Sequence, residues 1–134
     1  MAAGDSTFHL SVITPEAQVL DLDVHSASFQ AHDGEIGLLP KRAPLMCQLG
    51  IGTLRYAAPT GSAKLFIDGG FAQVVDNEVT VLTQSAKLPE EIDAAAARKD
   101  LDAAHEMKNT DEAAYQARND AIRRAQVQIK LAGK

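Results

Sequence analysis

Asn77-Glu78-Val79-Thr80-Val81-Leu82-Thr83-Gln84-Ser85-Ala86-Lys87-Leu88-Pro89-Glu90-Glu91-Ile92-Asp93-Ala94-Ala95-Ala96-Ala97 is the stretch in which the chain changes its grammar. Up to Leu82 the residues are short branched runs between breakers, the pattern of β-strands. Near Ser85 that pattern stops. Pro89 and two acids open a new segment, and acidic side chains favour a helix N-terminus. Ile92 to Met107 holds six alanines and neither glycine nor proline, which is helix composition. The chain therefore divides into a β part, residues 1–86, and a helical part, residues 87–134. The class is α+β with the two kinds of element segregated.

Working backwards, Phe8, Leu10 and Val12 alternate with His9 and Ser11 until Pro15 ends the run. Ala27, Phe29 and Ala31 alternate with Ser28 and Gln30. Further runs are expected at 43–49, 51–56, 63–67, 71–75 and 78–82. Gly50, Pro59-Thr60-Gly61, Gly69-Gly70 and Asp76-Asn77 lie between them and read as turns. Strands at this spacing predict a sandwich or barrel rather than a βαβ fold. Gly34-Glu35-Ile36-Gly37-Leu38-Leu39-Pro40-Lys41-Arg42-Ala43-Pro44 interrupts them. Its glycines permit tight turns and its prolines cannot donate to a ladder, so a stiff corner presenting Glu35, Lys41 and Arg42 to solvent is expected.

Working forwards, Ala94, Ala97, Leu101 and Ala104 recur at helical spacing and form one face. Asn109-Thr110-Asp111 breaks the helix, and Thr110 or Asp111 is placed to cap the next. Ala114, Ala117, Ala121 and Ala125, widened by Ile122 and Ile129, line a second helix. Two alanine-faced helices joined by a short turn predict a close antiparallel hairpin. An alanine seam buries little area, so the hairpin either docks and undocks cheaply or serves as a permanent buttress.

Composition narrows the function. The 134 residues carry a formal charge of −5, and the excess acid is confined to the first part. Residues 1–86 hold nine acids against four bases, whereas residues 87–134 hold nine of each sign. An acidic β part argues against a nucleic-acid partner, which needs a basic stripe. Cys47 is the single cysteine and reads as a small buried hydrophobe. No run approaches the ~20 apolar residues of a membrane span, and the N-terminus shows no export signal. His9, His25, His32 and His105 are scattered, so no metal site is expected. No nucleophile elbow or phosphate loop is present, and an enzyme reading finds no support.

Val12-Ile13-Thr14-Pro15, the corner Gly34–Leu45, Asp68-Gly69-Gly70-Phe71-Ala72 and Asn77-Glu78-Val79-Thr80-Val81-Leu82 occur in that order before the alanine-rich helices. With this ordered set the chain resembles the epsilon subunit of F-type ATP synthases (delta in mitochondria) over about residues 7–132. The resemblance implies a β-sandwich of about ten strands with a C-terminal helix-turn-helix. It implies a non-catalytic rotor subunit of the central stalk, transmitting torque between the catalytic head and the membrane c ring through the gamma subunit. The partners implied are gamma, the c ring and the alpha and beta subunits. The location implied is the cytoplasmic side of a bacterial plasma membrane, with peripheral attachment only.

Site residues follow from the same resemblance. Glu35 matches an acidic position that contacts the c ring, beside Lys41, and Arg42 takes a place more often held by histidine. The helices of the family can extend along gamma and inhibit ATP hydrolysis. Arg118, Arg123, Arg124 and Lys130 are then the expected contacts to an acidic segment of beta. Some members bind ATP through Ile or Leu, Asp, two variable residues, Arg and Ala. Here that place reads Ile92-Asp93-Ala94-Ala95-Ala96-Ala97, without the arginine. No cofactor is expected. ATP enters only as a weak regulatory ligand of Ile92 and Asp93, with Arg118, Arg123 or Arg124 on its phosphates. The alternative from a different class is a free-standing sandwich that binds a small ligand, although the chain has no tryptophan to serve as a platform.

Overall fold

The computed structural model describes residues 7–31, 34–41 and 43–133. The chain separates into two compact units, 1–87 and 88–134. The first holds β1 (Phe8–Ile13), β2 (Gln18–Val24), β3 (Ser26–Ala31), β4 (Gly34–Leu38), β5 (Leu45–Ala58), β6 (Gly61–Val75), β7 (Glu78–Leu82) and β8 (Ala86–Lys87). The strands run in the order β2-β1-β7-β6-β5-β3-β4, and β8 pairs with β6. Alternation decides the buried face: Phe8, Leu10 and Val12 of β1 and Ala27, Phe29 and Ala31 of β3 point into the core. Leu54 and Leu65 meet as a cross-strand pair and are fully buried, as are Val79 and Val81 of β7. Branched aliphatics and three phenylalanines, Phe8, Phe29 and Phe66, fill the interior, as the scarcity of aromatics requires.

Among the described residues eight strands form, not about ten, and one pairing is not antiparallel: β1 runs parallel to β7. The glycines explain the strand count. Gly50 and Gly69-Gly70 do not end strands; they lie inside β5 and β6, whose register runs from Leu45↔Val74 to Ala58↔Gly61. Gly69 at φ +69 and Gly70 at φ +105 bend β6 there. The first part of β6 pairs with β5 and β8, and its last part with β5 and β7. β6 thus changes its outer neighbour from β8 to β7 at the bend. The first half of the expected corner is also regular structure, since β4 pairs with β3 from Ala31↔Gly34 to Ala27↔Leu38.

The second unit opens with a 3-10 turn at Pro89–Glu91, followed by α1 (Ala94–His105) and α2 (Glu112–Gly133). Helix α1 starts at Ala94 rather than Ile92 because Asp93 is its N-cap, with Oδ1 accepting from the Ala95 and Ala96 amides at 3.0 and 3.2 Å. Asp111 Oδ1 accepts from the Ala114 amide at 2.8 Å and opens α2 in the same way. The seam is made of small residues: Ala97, Ala104 and Ala125 are buried, together with Ile92 and Leu131. Ala117, assigned to the seam from its spacing, is exposed, and Leu101 is only half-buried.

Candidate functional site

The corner after β4 is held by a residue that sequence reasoning passed over. Asp76 and Asn77 adopt φ +51 and +65, as a two-residue type I′ hairpin turn demands, and asparagine tolerates this without glycine. The Asn77 side chain is then placed to work at both ends. Its Oδ1 accepts from the Lys41 amide at 2.7 Å, and its Nδ2 donates to the Thr7 carbonyl at 2.9 Å. Its own carbonyl accepts from the His9 amide at 3.1 Å. One turn therefore ties the corner to the start of β1. Lys41 itself sits at φ +65 and is exposed. The only sequence signal was the Asp-Asn pair, which marked a turn but not a clamp.

Glu35 lies in β4, opposite Gln30, and is exposed. Its Oε2 accepts from Arg55 Nη1 at 3.4 Å, a long surface pair worth ~1 kcal/mol or less. Glu35 and Lys41 thus flank the corner from strand and turn. Arg42, the third residue expected there, lies outside the described residues.

A second feature is the outer face made by the end of β6 and its neighbours. Phe71 and Leu82 oppose each other across β6 and β7, and Met46 of β5 pairs with Gln73 of β6. Phe71, Leu82 and Met46 are 52%, 53% and 66% exposed, with Val75 beside them. The apolar run around Cys47 therefore does not vanish into the core: Met46 faces solvent, and Cys47 is half-buried. A cluster of large apolar side chains on one sheet face marks an interaction surface. On the far side of β1, His9 bridges two aspartates of β2. Its Nδ1 is 2.9 Å from Asp23 Oδ1, and its Nε2 contacts Asp21 Oδ1. Carboxylates only accept, so both ring nitrogens donate best as imidazolium. The Asp23 hydrogen bond, with Asp21 adding to it, raises the His9 pKa above its ordinary value.

In the helical unit the four bases divide. Arg118 Nη2 donates to the His105 carbonyl at 3.1 Å, closing the open end of α1. Arg124 lines a 280 Å³ gap between the helices with Asp100, Ala104 and Gln128. Arg123 and Lys130, seven residues apart, lie on the exposed side of α2. Asp93 uses its carboxylate as a cap, and Ile92 is buried. Neither lines the gap that contains Arg124, so the residues expected around ATP are not gathered at one cavity.

A sandwich with an exposed apolar face and a clamped charged corner, followed in sequence by a small-residue helical hairpin, defines an interaction subunit. Comparison with known proteins gives the family. Residues 7–89 match the model of the ATP synthase delta/epsilon chain β-sandwich domain. The chain is 37% identical over 134 residues to an ATP synthase epsilon chain of Nitratidesulfovibrio vulgaris, covering 96% of this chain and 98% of that one. It is 38% identical over 119 residues to the epsilon chain of Rhodopirellula baltica, covering 89% and 93%. Its fold superposes with a TM-score of 0.81 and 26% identity on a chain of the Euglena gracilis mitochondrial ATP synthase OSCP/F1/c-ring assembly, covering 96% of this chain and 82% of that one. The chain belongs to the ATP synthase delta/epsilon family.

Proposed function

We propose that the chain is a non-catalytic rotor subunit of the central stalk of an F-type ATP synthase. It couples the catalytic head to the c ring through gamma and restrains ATP hydrolysis through its helical hairpin. The observation that carries the reading is the near end-to-end likeness to epsilon chains, 37% identity over 96% of the residues. The exposed Phe71, Leu82 and Met46 face supports a gamma contact, since a large partner is what such a patch serves. Glu35 and Lys41 beside the clamped corner, with Arg42, are the proposed c-ring contacts. The alpha and beta subunits of the head are the partners proposed for the hairpin. Among the described residues no helix is long and apolar enough to cross a membrane. Attachment is therefore proposed as peripheral, on the cytoplasmic side of a bacterial plasma membrane. ATP is proposed at most as a weak regulatory ligand, because Ala96 stands where the family motif has arginine.

Co-expression with gamma tests the reading. The expected result is a stoichiometric pair, which Phe71→Ser with Leu82→Ser disrupts while the isolated chain stays folded. A chain that never pairs with gamma would instead be a free-standing ligand module. Truncation after Pro89 is expected to keep the gamma pair and raise ATP hydrolysis by the assembled complex. Unchanged hydrolysis would make the hairpin a permanent buttress.

A further inference from the structure

The outer face of β3, β4, β5 and β6 carries a trough of about 590 Å³, in the size range of small-molecule sites. Its floor is laid by two cross-strand rows. Ser28, Arg55 and Lys64 stand side by side in one, and Ser26, Ala57 and Ser62 in the next. Leu39, 67% exposed, stands at the rim.

The charge arrangement is the unusual part. Residues 1–86 hold nine acids and four bases, yet two of those bases, Arg55 and Lys64, are direct cross-strand partners. Like charges placed opposite each other on a sheet are destabilising. Arg55 has one long contact with Glu35, and Lys64 has no ion-pair partner among the described residues. The Ser26, Ser28 and Ser62 hydroxyls likewise have no hydrogen-bond partner among them. Two cations and three hydroxyl donors converging on a concave surface form an anion-recognising set. Leu39 and Ala57 add apolar surface that a bare anion does not need.

We propose that this trough binds the phosphate headgroup of an anionic lipid. Lys64 and Arg55 neutralise the phosphate, the serine hydroxyls donate to its oxygens, and Leu39 covers the glycerol end of the acyl chains. The choice of a lipid over a soluble phosphate rests on the rotor reading, which turns the neighbouring corner towards the membrane. Binding by the isolated chain can still be measured whether or not that reading holds.

The test is an NMR titration of the full chain with short-chain phosphatidylglycerol, short-chain phosphatidylcholine and inorganic phosphate, alongside co-sedimentation with vesicles that contain or lack phosphatidylglycerol. Phosphatidylglycerol alone is expected to shift Ser26, Ser28, Ala57 and Ser62. Lys64→Gln is expected to weaken binding about fivefold, as for one basic residue at an anionic surface, while Lys64→Arg retains it. Lys108→Gln, in the turn between the helices, is the charge control and is expected to change nothing. Equal binding of inorganic phosphate would overturn the lipid assignment, and equal binding of phosphatidylcholine would overturn the role of charge. Stronger competition by a polyglutamate peptide would make the trough a protein-docking site. Absence of shifts at these residues would remove the site. Gamma co-purification run on the same proteins keeps the readings apart: loss of gamma pairing with lipid shifts intact counts against the rotor reading alone.

Discussion

Gly70→Ala puts the bend in β6 to a direct test. An added Cβ would stand 1.9 Å from the Leu82 carbonyl oxygen and 2.8 Å from Thr83 Cα, both backbone atoms with no rotamer to escape into. The residue also sits at φ +105, a conformation that costs a side-chain-bearing residue about 1–3 kcal/mol. Relieving the overlap means displacing β7 at the Phe71↔Leu82 pairing, with loss of ladder bonds worth about 1 kcal/mol each. The sum is about 3–5 kcal/mol, a large share of the roughly 5–15 kcal/mol that holds an ordinary domain together. Two controls separate the terms. Gly61→Ala meets nothing within 4 Å but has φ +134, so it carries the backbone term alone. Gly37→Ala meets nothing and carries neither, with an expected change within about 0.5 kcal/mol. Urea unfolding followed by tyrosine fluorescence reads the β unit by itself in a Tyr115→Phe background, where Tyr56 is the single tyrosine. If Gly70→Ala lost no more than Gly61→Ala, the close approach of β6 and β7 would be wrong. The support of the exposed Phe71–Leu82 face would then need another explanation.

Glu35→Ala is expected to lower ATP-driven proton pumping while changing stability by no more than about 0.5–1 kcal/mol, since its Arg55 pair is long and exposed. A loss of several kcal/mol with coupling intact would make the corner structural. Isothermal calorimetry on the isolated chain is expected to find ATP binding no tighter than about millimolar, near −4 kcal/mol, and Ala96→Arg is expected to tighten it. Micromolar affinity in the unaltered chain would refute the role given to the missing arginine. For His9, a folded pKa above 6.5 means that its stabilising contribution is full below that value and is lost as pH rises through the raised one. His9→Gln should therefore flatten the pH dependence of unfolding just above pH 6.5, and an unchanged profile would count against the Asp21–His9–Asp23 bridge.

Much of this architecture was open to reading in the residues themselves, and the failures have a common cause. Alternation at Phe8–Val12 and Ala27–Ala31 located core faces because burial on one side imposes a period of two. The change near Pro89 located the helical unit because alanine runs without glycine or proline have one good conformation. Glycine, by contrast, is ambiguous by nature. The same freedom that makes a turn lets Gly69-Gly70 bend a strand without ending it, and only the partner backbone of Leu82 shows which occurred. Asp93 carries a similar ambiguity, since a carboxylate before an alanine run suits both a ligand motif and an N-cap. Its bonds to the Ala95 and Ala96 amides show the cap. The roles of Asn77 and Arg118 were beyond reach because both act on backbone groups distant in sequence, Thr7 and Lys41 for one and His105 for the other.

Arg118 also changes how the hairpin should be understood as a switch. The three buried alanines of the seam, at roughly 0.8 kcal/mol per buried carbon, contribute about 2–3 kcal/mol before the buried Ile92 and Leu131 are counted. The exposed Arg118 bond to the His105 carbonyl adds about 1 kcal/mol. Opening then costs at least about 3–4 kcal/mol, which leaves the open form populated at well under one part in a hundred. A partner that selects it must supply more than that in contacts absent from the closed form. The bases differ in what they can offer. Arg123 and Lys130 are exposed while the helices remain together, so an acidic surface that meets only these two gains nothing from opening. Arg118 and Arg124 face α1 and reach a new partner fully only when the seam is broken, and Arg118 gives up its carbonyl to do so. In the proposed extension the driving force therefore has to come from the α1-facing side of α2, and the exposed pair is expected to bring the acidic partner close before the hairpin yields.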